Sequence, residues 1–166
     1  MKILIVPDSF KGSLSSKQAA DAIEKGINYP QFEIEKIPMA DGGEGTIECL
    51  IVSLNGSILR DFVTDPIGRK VQAEFGILQD NKTAIIEMAA ASGLLLIPKK
   101  RRNPLYTTTY GTGELIRKVI KRGYKKIILG LGGSATTDCG AGALQALGVK
   151  LLDRNGGNIK FGGLFL

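Results

Sequence analysis

Four loops of the chain combine glycines with hydroxyl side chains, and three of them also carry an aspartate. They read "PDSFKGSLSS" (7–16), "ADGGEGT" (40–46), "NPLYTTTYGTGE" (103–114) and "GLGGSATTDCG" (130–140). Glycines let the backbone approach a ligand closely, and a helix that begins in such a loop offers free N–H groups to an anion. In open α/β sheets ligands bind beyond the carboxyl ends of the strands, so we expect these loops to line one crevice.

The first loop contains an acid, a base and two hydroxyls within six residues. A lysine can neutralise a phosphate or a carboxylate as a point charge. An ordinary helix cap with a surface lysine is the alternative, but it requires fewer polar groups than are present. We therefore predict that this loop is functional through Asp8, Ser9, Lys11, Gly12 and Ser13.

The second loop places two acids among three glycines. Carboxylates in this setting can act as a general base or face a metal ion, and the glycines allow close approach of the backbone. A plain turn needs only one glycine and one aspartate. The predicted functional residues are Asp41, Gly42, Gly43, Glu44 and Gly45.

The third loop is rich in threonine and has two interpretations. Thr108 could contact a ligand, but Thr107 to Thr109 could equally be strand residues, and Thr112 could be a helix cap. Both interpretations stay open on the residues alone.

The fourth loop fits the dinucleotide-binding pattern G-x-G-x-x-G/A through Gly130, Gly132 and Ala135. Asp153, at the end of the next predicted strand, lies near the position of a ribose-binding acid, so an NAD-binding module is an alternative. Asp138 argues against it, because a bare carboxylate beside the turn would repel a pyrophosphate.

Phosphoryl transfer accounts for more of these features together. It needs positioned N–H groups, a cation, and carboxylates that hold Mg²⁺ and accept a hydroxyl proton. The chain has no histidine, which excludes Ser–His and Cys–His nucleophiles and histidine-based zinc sites. The Walker A pattern G-x-x-x-x-G-K-[ST] does not occur, which excludes a P-loop nucleoside triphosphatase.

The order of the predicted elements indicates an α/β protein. The apolar run 2–6 predicts a strand, and Ser15 with Gln18 forms a capping box before a helix. A second strand and helix follow, then a hairpin with a "TDPIGRK" turn, and the α/β alternation resumes at residue 112. The pattern predicts the following segments: strands at 32–38, 57–64, 70–78, 83–88, 125–129 and 149–152, and helices at 46–54, from 112, and up to 147.

We predict a Rossmann-like (flavodoxin-like) parallel-sheet segment followed by part of a second α/β domain that contains an antiparallel hairpin. Residues 1–63 would be the N-terminal segment of a discontinuous Rossmann-like domain, and residues 64–166 a partial second domain.

The amino-acid composition limits the classes of partner that the protein is expected to bind. The net charge of +6 suits small anionic substrates, and the basic run 99–102 lacks the motif and aromatics of a nucleic-acid site. Two cysteines in no metal-binding or disulfide pattern, and no apolar run of membrane-spanning length, predict a cytoplasmic protein without membrane or nucleic-acid partners.

The combination of five segments resembles the bacterial glycerate kinase family. They are "MKILIVPDSFKGSLSS", "PMADGGEGT", "TAIIEMAAASGL", "RNPLYTTTYGTGELI" and "KKIILGLGGSATTDCGAGALQALG". The resemblance implies phosphorylation of D-glycerate by ATP with Mg²⁺, mostly at the 2-hydroxyl, in a cleft between two α/β domains. On this chain Lys11 would bind an anionic oxygen, Asp41 or Asp138 would act as base or metal ligand, and the 132–135 amides would bind a phosphate. The binding residues implied are Ser9, Gly12, Ser13, 42–45, Thr108, Gly132, Gly133, Ser134, Ala135 and Thr136, with Asp8 among the catalytic ones.

The chain departs from the family pattern in two ways. Thr137 and Cys139 stand where the family usually has Asn and Gly. Family members also continue well beyond residue 166, so we expect an N-terminal fragment with little kinase activity by itself. A non-catalytic fragment that acts as a binding piece, with self-association through newly exposed surface, is a further alternative.

Overall fold

The computed structural model describes residues 1–10, 13–27 and 29–166, which form two sheets. The first sheet pairs β1 (Lys2–Ile5) with β2 (Glu33–Lys36) in parallel, and α1 (Ser16–Gly26) connects them. The predicted capping box is present: Ser15 Oγ accepts the N–H of Gln18 at 3.2 Å, and Gln18 Oε1 accepts the N–H of Ser15 at 2.9 Å. The helix α2 (Thr46–Ser53) follows β2.

The second sheet is mixed, with strand order β3-β4-β5-β6. The first two pairs are antiparallel, whereas β5 and β6 run parallel, as expected where α4 crosses over between them. The bounds are β3 (Ser57–Thr64), β4 (Lys70–Ile77), β5 (Thr83–Glu87), α3 (Met88–Ser92), α4 (Tyr110–Lys121), β6 (Lys126–Gly130) and α5 (Ala141–Ala146). Short 3₁₀ segments lie at Leu94–Leu96, Lys99–Arg101 and Gly163–Phe165.

The core of the second sheet lies under α4. Phe75, Ile86, Leu115 and Val119 are fully buried there, so the alternating residues of β4 meet the apolar face of the helix. The α/β class, with a parallel sheet and an antiparallel hairpin, is confirmed. The predicted boundary falls inside β3, whose residues 57–64 all pair with β4. The division into two domains stays a prediction.

Two predicted elements differ from the structure. In the part of the chain that the structure describes, 149–152 form no strand; Leu152 makes a single bridge to Asn158 across a turn closed by Asp153. An apolar run becomes a strand only when another strand pairs with it, and no strand of the described chain pairs with residues 149–152. The helix α4 begins at Tyr110, so Thr112 lies inside it, buried against Ser92 at an oxygen–oxygen distance of 2.7 Å.

Among the described residues, no helix is both long and apolar enough to cross a membrane.

Candidate functional site

Three of the four loops meet in one cleft of about 260 Å³. It lies where the first, second and fourth loops converge, beside the 3₁₀ segment that follows α3. Its lining residues are Ser9, Asp41, Gly43, Glu44, Leu94, Leu95, Gly133 and Ser134. The expected convergence is therefore present for these three loops, which bring acids, hydroxyls and exposed backbone to one surface. None of the described residues of the third loop (103–114) lines this cleft, so the expectation was wrong for that loop.

Close packing of the second loop on the fourth holds the cleft together. The N–H of Gly132 donates to Gly42 O at 2.8 Å. A Cβ atom added to Gly130 would lie 2.5 Å from Gly42 O, and one added to Gly132 would lie 2.6 Å from Gly43 Cα. These glycines allow two backbones to touch each other, rather than a ligand to touch the backbone.

The four amides of residues 132–135 are not equivalent. Those of Gly132 and Ala135 already donate to protein carbonyls, the latter to Ser92 O at 3.0 Å. Gly133 and Ser134 are exposed in the cleft, and within the described residues neither N–H donates to a protein acceptor. Gly133 also has a positive φ of 72°, a conformation that glycine adopts without strain. Of the four amides, those of Gly133 and Ser134 are thus the two that no described protein acceptor occupies.

Asp41 and Glu44 supply the negative charge of the cleft. Both are exposed, and Asp41 Oδ1 accepts the N–H of Gly43 at 3.0 Å, which orients its carboxylate. Glu44 packs against Gly133, because a Cβ atom there would lie 3.0 Å from Glu44 Oε1. Among the described residues no group of three or more acids, cysteines or histidines forms a metal cage. Mg²⁺ typically takes one or two carboxylates together with phosphate oxygens, and this donor set fits that requirement.

The first loop reaches the cleft through Ser9. Asp8 is exposed, and its Oδ1 accepts the N–H of Ser9 at 2.6 Å. Ser13 donates its N–H to Phe10 O at 2.8 Å and lines a neighbouring groove. Lys11 and Gly12 lie outside the described residues, so their predicted roles stay predictions.

Asp138 lies in a buried hydrogen-bond network and is only 1% exposed. Its Oδ2 accepts the N–H of Thr109 at 2.8 Å, the Thr109 hydroxyl at 2.9 Å and the N–H of Gly142 at 3.1 Å. The hydroxyl of Thr108 (3.3 Å, to Oδ2) and the N–H of Gly140 (3.3 Å, to Oδ1) complete the set. The amino-terminal ends of α4 and α5 therefore share one carboxylate.

These contacts bear on the dinucleotide alternative. In a dinucleotide site the pyrophosphate occupies the helix N-terminus after the glycine turn, and here Asp138 occupies that position. Asp153 accepts the N–H groups of Asn155 and Gly157 in its own turn. A catalytic role for Asp138 stays a prediction, whereas its contacts are those of a residue that fixes two helix ends.

The remaining predicted residues support the loops. Thr108 is 5% exposed and bonds Asp138, and Thr107 donates to Ala135 O at 2.7 Å. Thr136 bonds the hydroxyl of Ser134 through its own N–H at 3.1 Å. Their binding roles stay predictions.

Glu87 is the acid that the sequence interpretation missed. It ends β5, is 8% exposed, and accepts the N–H of Ile47 at 2.7 Å. Burial raises the pKa of its carboxyl, against the lowering effect of the nearby Ile47 and Gly45 N–H groups. The available signal was an acid at the end of a largely apolar strand that shows no polar alternation. Leu94 and Leu95, the apolar wall of the cleft, had no signal of their own.

Comparison with known proteins identifies relatives over almost the whole chain. The model of the glycerate kinase family matches residues 3–166. Glycerate kinase of Bacillus subtilis (strain 168) and glycerate 2-kinase of Escherichia coli (strain K12) are each 54% identical over 165 residues, covering 98% of this chain and 43% of the relative.

A solved structure is similar as well. The Salmonella typhimurium LT2 protein provisionally named glycerate kinase 2 matches with a TM-score of 0.81 and 50% identity, over 99% of this chain and 45% of that one. The chain thus spans less than half the length of the relatives it matches. Family model, sequence identity and fold agree, and the chain belongs to the glycerate kinase family.

Proposed function

We propose that this chain supplies one wall of the active site of an enzyme that transfers the γ-phosphoryl group of ATP to D-glycerate, with the 2-hydroxyl as the favoured acceptor. The observation that carries the proposal is the cleft that Asp41 and Glu44 share with Gly133 and Ser134. Within the described residues, the N–H groups of Gly133 and Ser134 have no protein acceptor. Positioned N–H groups and carboxylates are the parts that phosphoryl transfer needs. The names of the relatives support glycerate as the substrate.

Each group has a role in this proposal. The amides of Gly133 and Ser134 donate to phosphate oxygens of the nucleotide, and the Ser134 hydroxyl adds a third donor. Asp41 accepts the proton of the glycerate hydroxyl as its oxygen bonds to the γ-phosphorus and the bond to the ADP oxygen breaks.

Glu44 is the residue that would hold Mg²⁺ together with phosphate oxygens. When bound there, the ion would neutralise part of the charge of those oxygens. Asp8 positions Ser9 at the mouth of the cleft through its hydrogen bond to the Ser9 N–H.

The surroundings of the site suit small anions. A net charge of +6 attracts glycerate and nucleotides, and Lys11 is proposed to offset the charge of one of them. The relatives are bacterial, and both cysteines of the described chain are free. We place the reaction in the cytoplasm, where thiols stay reduced and ATP is available.

The experiment uses a fusion of residues 1–166 to the part of the Bacillus subtilis relative that lies beyond the matched region. Glycerate-dependent ADP release is followed in a coupled assay. Replacing Asp41 with asparagine keeps an acceptor for the N–H of Gly43 but removes the base, so kcat should fall about 10²–10⁴-fold. Asp153→Asn, in an exposed turn away from the cleft, is the matched control.

A fusion without glycerate-dependent turnover, beside an active Bacillus subtilis enzyme, would refute the proposal. An Asp41→Asn variant as fast as Asp153→Asn would remove Asp41 from the mechanism.

A further inference from the structure

Glu87 joins the second loop to the second sheet. It is the last residue of β5, and in the parallel register it pairs with Gly130, the last residue of β6. It therefore lies at the strand edge from which the fourth loop starts. Its carboxylate crosses to the amino-terminal end of α2, where Oε1 accepts the N–H of Ile47 at 2.7 Å.

The helix α2 needs such a partner because it has no cap of its own. Its N-cap residue is Gly45, with a φ of 94° and no side chain to accept the first N–H groups. An uncapped helix start leaves N–H donors without acceptors, which is costly when they are buried. Glu87, which belongs to β5, serves as the cap of α2. The N–H groups of Gly45 and Thr46 also lie close enough to its carboxyl to lower its pKa.

The second loop is thereby fixed at two points. Glu87 anchors its helical end, and the bond between Gly42 O and the N–H of Gly132 anchors its middle. Asp41 and Glu44, the two acids that face the cleft, lie beside these anchors. Releasing either anchor should let the acids move relative to Gly133 and Ser134, which belong to the fourth loop.

We propose that Glu87 is a positioning residue of the kinase site, which holds Asp41 and Glu44 in register with the anion-binding amides by capping α2 from β5. This inference rests on the proposed function. It assigns Glu87 no contact with substrate, and it requires only an acceptor oxygen at this position.

The test compares Glu87→Gln with Glu87→Met, two side chains of similar size of which only glutamine accepts a hydrogen bond. Glu74→Met is the control, since Glu74 lies on the neighbouring strand and its carboxylate bonds, within the described residues, only the exposed Arg60. Amide exchange of the 166-residue chain, measured by NMR, reports on the cap without any need for turnover. The fusion to the Bacillus subtilis relative reports kcat and KM.

In Glu87→Met the amides of Gly45, Thr46 and Ile47 should exchange about tenfold faster, with β4 and β5 unchanged. The kcat of the fusion should fall about 10- to 100-fold with KM altered much less, because misplacement by about 1 Å suffices for such a loss. Glu87→Gln should restore both values to near those of the parent.

Three results would overturn the inference. One is a Glu87→Met fusion whose kcat equals that of Glu74→Met, and another is unchanged amide exchange. The third is a folded Glu87→Gln variant with a large loss of kcat, which contradicts the acceptor role. This variant also decides the question if Glu87→Met does not fold, and a parental kcat in Glu87→Gln then supports the inference. An inactive parent fusion would instead refute the proposed function, and the exchange data would still judge the cap.

Discussion

Replacing Asp138 with asparagine should lower the free energy of unfolding by about 2–4 kcal/mol. The carboxylate is 1% exposed and accepts five hydrogen bonds, four at Oδ2 and one at Oδ1. Asparagine retains one acceptor. In its least costly orientation the amide oxygen keeps the four donors at Oδ2, while its NH₂ group faces the N–H of Gly140. The substitution thus loses the bond from Gly140 and places two donors, the new NH₂ group and the Gly140 N–H, against each other. It also removes the negative charge that strengthens the other four bonds, and hydrogen bonds to charged groups contribute about 1.5–3 kcal/mol each.

The measurement is urea unfolding of the 166-residue chain, followed by circular dichroism and extrapolated to water. Asp153→Asn is the control, because Asp153 also accepts two N–H groups but in an exposed turn that asparagine suits. It should change stability by less than about 0.5 kcal/mol. An Asp138→Asn variant as stable as this control would refute the structural role. If its fusion then lost kcat by more than about 100-fold, the catalytic role predicted from the sequence would be supported instead.

Three further outcomes are expected. Cys139 has a φ of 49°, so Cys139→Gly should raise the free energy of unfolding by about 0.5–1 kcal/mol in a urea melt, the relief of left-handed strain less the added freedom of the unfolded chain. Gly132→Ala should lower it by about 1–3 kcal/mol, because the new Cβ would lie 2.6 Å from Gly43, whereas Gly26→Ala, with open space around it, should not. Burial raises the pKa of Glu87, so the folded chain favours the protonated carboxyl, and the contribution of Glu87 to stability declines as the pH rises above the ordinary value of 4.5. In urea melts between pH 4 and 7 the Glu87→Gln variant should lack this decline. A pH dependence of stability equal to that of the parent would contradict this prediction.

Local signals predicted most of the fold. The capping box of Ser15 and Gln18 depends on residues three apart, and the alternation in 70–78 depends on one strand with one buried face. Patterns of this kind can be recognised in a short stretch of sequence, because the residues that produce them are close together in the chain. The predicted strand 149–152 was wrong because pairing depends on a neighbour, and the apolar run alone does not specify one.

The sequence predicted that the first, second and fourth loops meet in one cleft, but it did not predict the hydrogen bonds of their individual atoms. The functional roles of the site residues stay predictions. Glycine, acid and hydroxyl content identified the second and fourth loops. Whether an individual amide is free to bind a ligand depends on tertiary contacts. The N–H groups of Gly132 and Ala135 donate to Gly42 O and Ser92 O, which are distant in the sequence. For the same reason Glu87 escaped notice, since its partner Ile47 lies 40 residues earlier in the chain.

The most direct test of the central claim is ³¹P NMR of the fusion of residues 1–166 to the remainder of the Bacillus subtilis relative, supplied with ATP, Mg²⁺ and D-glycerate. The account predicts that the γ-phosphate signal of ATP is replaced by that of a phosphoglycerate, chiefly the 2-phosphate, and that Asp41→Asn nearly abolishes this conversion. Unchanged ATP, or ATP consumed equally without glycerate, would contradict it.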